Sequence, residues 1–315
     1  MSNKSHFFRQ SSGGGGEPFI ATFRTTTANE SITLPYASNG TYSGTIDWGD
    51  GTVVANIYAN RTHTYINSGD YDVEILGACE NWNFRYNETS SKNKIIDIKQ
   101  WGSGFRLGDD NGYFFQCQNL DITALDVLSL SGTTTMRHAF FQTYSMTFNS
   151  SINSWDWSNV NNMFSMFENA DLFNSPLTFD TSNVTTFSGT FQYMNVFNSE
   201  LSQLDTSSVT DFRACFRGNL AFNQDISAWD FSSLSVSNGL ENFMLYKTSA
   251  NYDATYYDNL LIKWASDESL GGLPNNLSLT KIDMGGIKYT ANGASARASI
   301  LANNKAQVIN DGGQI

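Results

Sequence analysis

The fold is decided by a segment in the middle of the chain, residues 155–174, which reads WDWSNVNNMFSMFENADLFN. The pattern returns as DTSNVTTFSGTFQYMNVFN over residues 180–198 and as DTSSVTDFRACFRGNLAFN over residues 205–223. Phe-Asn pairs recur at intervals of 25, 24 and 25 residues, starting at Phe148, Phe173, Phe197 and Phe222. Self-similarity at a nearly fixed period predicts a repeat architecture.

Apolar residues keep a constant spacing inside each repeat. Val160, Met163 and Phe167 stand at positions i, i+3 and i+7, which is the spacing of one face of a helix. The pattern predicts a short helix of about two turns in each repeat, followed by a turn and a short strand. The equivalent residues of the next two repeats are Val184, Phe187, Phe191, Val209, Phe212 and Phe216.

Polar residues recur in the same register. The motif Asp-x-Ser, as at residues 156–158, supplies oxygen acceptors for the exposed amides at the next helix start. This aspartate column consists of Asp156, Asp180, Asp205 and Asp230. An asparagine column is expected to form a ladder, each amide bonding the backbone of the adjacent repeat: Asn149, Asn174, Asn198 and Asn223. Because one repeat cannot bury its apolar face alone, we expect neighbours to stack and build a continuous core.

These residues resemble the BspA-like leucine-rich-repeat surface proteins, whose unit reads approximately WDvSnVtnMsxMFxxaxxFNxdi. The matching stretches are residues 155–163, 166–167 and 222–230. Residues 95–120 resemble a degenerate first coil of that family, and residues 257–313 resemble its closing segment. The resemblance implies a solenoid of stacked coils that is displayed on a surface.

The N-terminal region, residues 17–79, shows short alternating runs separated by turn residues, which are typical of strands. The predicted strands are Phe19–Phe23, Ser31–Leu34, Gly44–Trp48, Val53–Ile57 and Tyr71–Leu76. A DWGDGT turn at residues 47–52, in which Gly51 can take a positive φ, precedes HTY at 63–65 and GDYDVEI at 69–75. These motifs resemble the polycystic-kidney-disease (PKD) domain, an immunoglobulin-like sandwich. The resemblance implies a spacer or protein-contact module.

The predicted fold class is multidomain α+β: an N-terminal β-sandwich of the PKD or immunoglobulin-like type, then a leucine-rich-repeat-like α/β solenoid, then a C-terminal α/β cap. The predicted divisions are a flexible anchoring arm at 1–16, the sandwich at 17–79, the solenoid at 80–250 and the capping segment at 251–315. Because terminal repeats need polar caps, we expect the sandwich and residues 79–96 to cover the first coil. Residues 252–315 are predicted to cover the last coil as helix, strand, helix, strand.

Composition excludes some classes of partner. The net charge of −12 leaves no electrostatic footprint for a phosphate backbone, so we expect no nucleic acid partner. No run approaches the roughly 20 apolar residues of a membrane span, so we expect no membrane insertion. Residues 1–17 lack the apolar core of a signal peptide, which argues against the standard secretory route. Three separated cysteines are predicted to be small buried hydrophobes: Cys79, Cys117 and Cys215.

Sequence motifs for catalysis or metal binding do not appear. The histidines His6, His63 and His138 are scattered, and there is no GxSxG elbow, HExxH motif or EF-hand loop. Residues 109–112 (DDNG) are calcium-like in composition but lack the glutamate of an EF-hand, which favours a solvated turn. The carboxylates of the 47–52 turn and His63 are expected to make turn-stabilising hydrogen bonds rather than bind a cation. The sequence therefore predicts no catalytic, cofactor-binding or metal-binding residue and no cofactor.

The functional expectation is a non-enzymatic virion or cell-surface protein of the structural or adhesion type. The arm and sandwich would attach to virion or surface-assembly proteins, and the solenoid would contact a host-surface glycan or protein, since aromatic rings with amide neighbours suit both. A bacteriophage origin, a place on the virion surface and an oligomeric assembly are favoured over export to the cell surface by a non-classical route. The alternatives are an architectural capsid-decoration or tail-assembly protein, and a polysaccharide-degrading enzyme.

Overall fold

The computed structural model describes residues 16–86, 90–148 and 150–315. It is a mixed α/β structure, mostly strands, turns and coil, with an N-terminal sheet and a large aromatic core. The predicted arm lies outside the described residues except for Gly16, and so do His6 and Asn149.

The first six strands confirm the strand pattern of the N-terminal region. They are β1 (Phe19–Thr25), β2 (Glu30–Thr33), β3 (Thr45–Asp47), β4 (Val53–Ala55), β5 (Thr62–Tyr65) and β6 (Gly69–Leu76). Four short strands follow: β7 (Cys79–Glu80), β8 (Ile95–Gln100), β9 (Phe105–Arg106) and β10 (Asp121–Ile122). The main sheet has the order β10-β8-β1-β6-β3-β4, and β2 pairs with β5 in a separate sheet. All five predicted strands are present, and β5 is an additional one that carries the HTY motif.

Strand β1 joins the N-terminal region to the first coil of the repeats. It pairs antiparallel with β6 on one side and with β8 on the other. Residues 79–86 lie next to this first coil. Strand β7 pairs in parallel with β9, and the amide of Phe84 donates to the carbonyl of Tyr113 over 3.1 Å. Residues 79–86 therefore lie against the first coil, as predicted for this part of the segment 79–96.

The two-turn helix predicted for each repeat is wrong. Among the described residues from 109 to 250, the chain forms mostly turns, with the short strand β10 and a 3-10 helix at Ser150–Ser154, and no α-helix. The backbone is left-handed at Ser165 (φ 50°) and Asn169 (φ 58°), and a right-handed helix cannot continue through such residues. The predicted apolar face is still buried, since Val160, Met163 and Phe167 are at most 2% exposed.

Hydrogen bonds between repeats explain the loss of the helix. The amide of Ser165 donates to the carbonyl of Ser188 in the next repeat over 2.9 Å. Two residues later, the amide of Phe167 donates to the carbonyl of Thr190 over 3.1 Å. The amide of the residue between them donates to a carbonyl of its own repeat. An α-helix would use all of these amides internally, so the repeats are joined by bonds that a helix would consume.

Pairs of left-handed residues, four positions apart, recur through the repeats. They are Gly112 and Gln116, His138 and Gln142, Ser165 and Asn169, Gly189 and Tyr193, Ala214 and Gly218, and Asn242 and Tyr246. We name the six stretches that contain them the turn segments: residues 111–116, 137–142, 164–169, 188–193, 213–218 and 241–246. Because a left-handed backbone is unfavourable for most residues, the bonds to the next repeat must hold it in place.

Phenylalanine rings stack through the core in two columns. In the first, the ring centroids of Phe167 and Phe191 are 6.4 Å apart, and those of Phe191 and Phe216 are 5.5 Å apart. In the second, Phe197 and Phe222 are 6.2 Å apart, and Phe191 joins the columns with its centroid 5.0 Å from Phe197. The rings of each pair are within 15° of parallel. The predicted vertical alignment of the apolar columns is confirmed.

The asparagine ladder is confirmed for its described members. The Oδ1 atom of Asn174 accepts from the amide of Asn198 over 2.8 Å, and Asn198 accepts in the same way from Asn223 over 2.7 Å. The aspartate column differs from its prediction: Asp156 accepts from the amide of Ser158, two residues on, and so closes a turn instead of capping a helix.

The C-terminal region follows the predicted order of helix, strand, helix, strand. Its elements are α1 (Ala254–Ala265), β11 (Ile282–Asp283), α2 (Ala291–Ala302) and β12 (Ile309–Asn310). The amide of Met244 donates to the carbonyl of Asp283 over 2.9 Å, and Trp264 packs edge-on against Phe243. The region therefore covers the last turn segment, as predicted.

Replacing Phe191 by alanine removes a ring that stacks on neighbours in both columns. We expect Phe191→Ala to lower the free energy of unfolding by about 3–5 kcal/mol, because a buried ring is lost and a cavity remains. Urea denaturation checks this. Leu125→Ala, at a side chain 83% exposed, is the control and should change stability by less than about 0.5 kcal/mol. Equal stability of the two variants would contradict the ring columns.

Candidate functional site

The polar residues that the sequence singled out make structural hydrogen bonds. Asp47 accepts from the amide of Gly49 and Asp50 from the amide of Thr52, each over 2.9 Å. The Nε2 atom of His63 lies 2.7 Å from Asp50 Oδ2. The prediction that these groups stabilise the turn is confirmed, and Gly51 has the expected positive φ of 95°.

The two aspartates of the DDNG turn are exposed, and the turn bonds to both neighbouring coils. Asp109 accepts from the amide of Thr134 over 2.7 Å, and Asp110 accepts from the side-chain amide of Asn83 over 2.8 Å. Across residues 16–86, 90–148 and 150–315, no three His, Cys, Asp or Glu side chains are grouped so as to hold a metal ion. The three cysteines are buried free thiols, as predicted, and burial raises the pKa of each.

An open groove of about 450 Å³ crosses five consecutive turn segments. Its floor follows the first left-handed residue of each segment, where Ser165, Gly189 and Ala214 have small side chains. The same column ends in the larger residues His138 and Asn242. The groove is therefore a trough, in which three small residues lie between two large ones.

Side chains on either side of this floor give the groove its chemistry. The residues just before the floor column are Phe164, Ser188 and Arg213, and those three positions after it are Glu168, Gln192 and Arg217. The side-chain amide of Gln192 donates to Glu168 over 3.0 Å, and Arg213 contacts Asp211 with an N–O distance of 3.1 Å. An aromatic ring, amides, hydroxyls and two guanidinium groups thus line one trough.

Arg217 is held by two tyrosines. Its guanidinium carbon lies 5.6 Å from the ring centroid of Tyr193 and 5.5 Å from that of Tyr246, which is 55% exposed. Gly218 permits this arrangement, because a Cβ atom there would lie 2.2 Å from the ring of Tyr193. A hydrogen bond with Tyr246 raises the pKa of Arg217, so the side chain stays charged. Its Nε atom is buried and has no hydrogen-bond partner among the described residues.

The opposite end of the groove contains a neutral histidine. His138 is 8% exposed, and its Nδ1 atom lies 2.5 Å from a guanidinium nitrogen of Arg85. Burial, with the charges of Arg85 and Arg137, lowers the pKa of His138 to about 4. Burial also raises the pKa of Glu168. The groove therefore combines a neutral imidazole with the guanidinium groups of Arg213 and Arg217.

Sequence reasoning named none of these groove residues as contacts, because it followed the columns that repeat. The groove lies where the residue type in a column changes from one repeat to the next. The signal was nevertheless present: Ser165, Gly189 and Ala214 occupy one register position, and Arg213 and Arg217 are two cations within one repeat of an acidic chain. The sequence alone does not show that these positions share one face, because that placement depends on the left-handed turns.

The chain is a repeat protein, and an open trough crosses its stacked repeats. Residues 109–178 and 177–258 each match the family model described as "Mycoplasma protein of unknown function, DUF285", a leucine-rich-repeat-like repeat region. The two matches together contain every residue that lines the groove. No curated protein and no solved structure matches the chain. Neither α1 nor any other described helix is long and apolar enough to cross a membrane.

The histidine in the groove should titrate far below the usual range. Because its folded pKa of about 4 is below the unfolded value of about 6.5, the unfolded chain takes up the proton first as pH falls. The stability from this group is complete above about pH 6.5 and is lost as pH falls towards 4. An NMR titration checks the midpoint, with the resonance assigned by its loss in His138→Asn, a residue type that tolerates the left-handed backbone. A midpoint near 6.5 would show that the imidazole is solvated.

Proposed function

We propose that this protein is a non-enzymatic surface protein of a virion or cell, which binds a host-surface glycan or protein through the trough of its repeat stack. The observation that carries the proposal is the convergence of Phe164, Gln192, Arg213 and Arg217 on one open groove. Binding sites combine apolar or aromatic surface with a few placed polar groups, and this groove has both. Its volume also lies within the range of about 300–1,000 Å³ typical of ligand sites.

The proposal also covers the detailed fold of the repeat stack and of the N-terminal sheets. The repeat stack is a BspA-like solenoid, and the N-terminal sheets form a PKD-like, immunoglobulin-like sandwich that spaces it from an assembly. The parallel bridges that join Thr135, Asn162, Thr186 and Asp211 of successive repeats support the solenoid. The DWGDGT turn and its hydrogen bonds support the sandwich. We also propose that the N-terminal arm, residues 1–16, which precedes the sandwich in the sequence, attaches the protein to that assembly.

Binding is favoured over catalysis by the groups that line the trough. Hydrolysis of a glycosidic bond uses a pair of carboxyl groups on either side of the bond. Glu168 is the single carboxylate among the described lining residues, and its side chain is bonded to Gln192. Asp211, close by, is paired with Arg213.

A groove-filling substitution tests the proposal on the full-length protein. Ala214→His places in the floor a residue type that the same column accepts at His138, so the backbone should tolerate it. Asn304→His is the matched control, at an exposed left-handed position in the C-terminal region. Labelled proteins are applied to a glycan array and to intact cells of the host. We expect saturable binding by the wild type and the control, and binding by Ala214→His weaker by about tenfold or more.

Three outcomes would contradict the proposal. Absence of saturable binding by the wild type to both arrays and cells would favour a purely architectural protein. Equal binding by Ala214→His and the wild type would exclude the trough as the contact surface. Release of new reducing ends from a bound polysaccharide would instead establish an enzyme.

A further inference from the structure

Two guanidinium groups line the trough of a chain whose net charge is −12. The protein has 30 acidic and 18 basic residues, yet the described lining residues carry two guanidinium groups and one carboxylate. That carboxylate, Glu168, is bonded to an amide, and one amino group of Arg213 is bonded to Asp211. The contacts of Arg217 are two tyrosines. Glu168 also interacts electrostatically with Arg217, but the two side chains share no hydrogen bond among the described residues, so guanidinium donors remain for a ligand.

The backbone of the floor is already used by the fold. The amide of Gly189 donates to the carbonyl of Arg213, and the amide of Ala214 donates to the carbonyl of Glu241, each over 2.9 Å. The amide of Ser165 is used in the same way. An extended peptide binds a sheet edge through free backbone groups, and these floor amides are not free. Recognition in the trough must therefore come from side chains.

We propose that the ligand of the trough is a carbohydrate that carries a carboxylate, with the carboxylate bound by Arg213 and Arg217. This inference rests on the proposed function and names the class of ligand. The planar guanidinium matches a carboxylate in two parallel hydrogen bonds. Gln192 and Ser188 then face the sugar hydroxyls with donors and acceptors, and Phe164 offers a ring surface to the C–H face of a pyranose.

A phosphate-rich polymer fits this surface poorly. The net charge of −12 would repel an extended polyanion over its whole length, whereas one sugar carboxylate needs only direct contact with the two guanidinium groups of the trough. Salt screening supports the distinction, because contacts beyond about 10 Å are weakened at ordinary ionic strength while the arginine contact is direct. The trough therefore selects for a carboxylate within an otherwise uncharged, hydroxyl-rich ligand.

Matched pairs of acidic and neutral sugars test the inference on the full-length protein. The probes are sialyllactose against lactose, and the methyl glycoside of galacturonate against its methyl ester, so that each acid carries a single carboxylate. We expect at least one acid to bind more tightly than its neutral partner by about tenfold or more. Arg217→Gln should remove this difference, and Arg217→Lys should restore only part of it, because an ammonium group lacks the planar fork. Arg24→Gln changes the net charge equally at an exposed site of β1 and should bind as the wild type does.

The results separate this inference from the proposed function. Binding of a neutral glycan as tight as that of its acid, sensitive to Ala214→His, would overturn the carboxylate and retain the trough as a site. Unchanged preference in Arg217→Gln would also overturn it. Failure of both acids, while host cells still bind saturably, would overturn it in favour of a protein ligand. Failure of every probe and of host cells would overturn both.

Discussion

The structure depends on one constraint, the alternation of backbone amides in the turn segments. Every second amide leaves its own segment and donates to the next repeat, as Ser165 donates to Ser188 and Gly189 to Arg213. Left-handed residues make this alternation possible, since they turn the intervening amides back. A repeat without its neighbours would lose these acceptors together with most of its phenylalanine ring contacts. Buried amides left unpaired are costly, so each segment keeps its shape only within the stack.

That constraint also separates what the sequence predicts from what it hides. The phenylalanine columns and the asparagine ladder repeat in identity, so they were predictable and are confirmed. The predicted helix is wrong, because the spacing of Val160, Met163 and Phe167 buries one face equally well on a helix or on successive turns. Glycine at 189 or asparagine at 169 could have signalled a left-handed backbone, but serine at 165 and alanine at 214 carry no such signal. The stack imposes their conformation.

The candidate site is a consequence of the same turns. The first left-handed position faces the groove in successive segments, and its residue size sets the depth there: small at 165, 189 and 214, large at 138 and 242. Inter-repeat hydrogen bonds hold the floor, and tyrosine rings hold Arg217. A surface fixed before binding loses little conformational entropy when a ligand arrives. Residues that are the same in every repeat thus form the scaffold, and residues that differ between repeats within a column form the site.

The most direct measurement is an NOE spectrum of protein with selectively labelled phenylalanine. The account predicts NOEs between ring protons of Phe167 and Phe191 and between those of Phe191 and Phe216, whose centroids are 6.4 and 5.5 Å apart. Assignment follows from single Phe-to-Leu variants. Absence of these NOEs, with the Phe191 ring exposed to solvent, would contradict the stacking of successive repeats and with it the trough that they form.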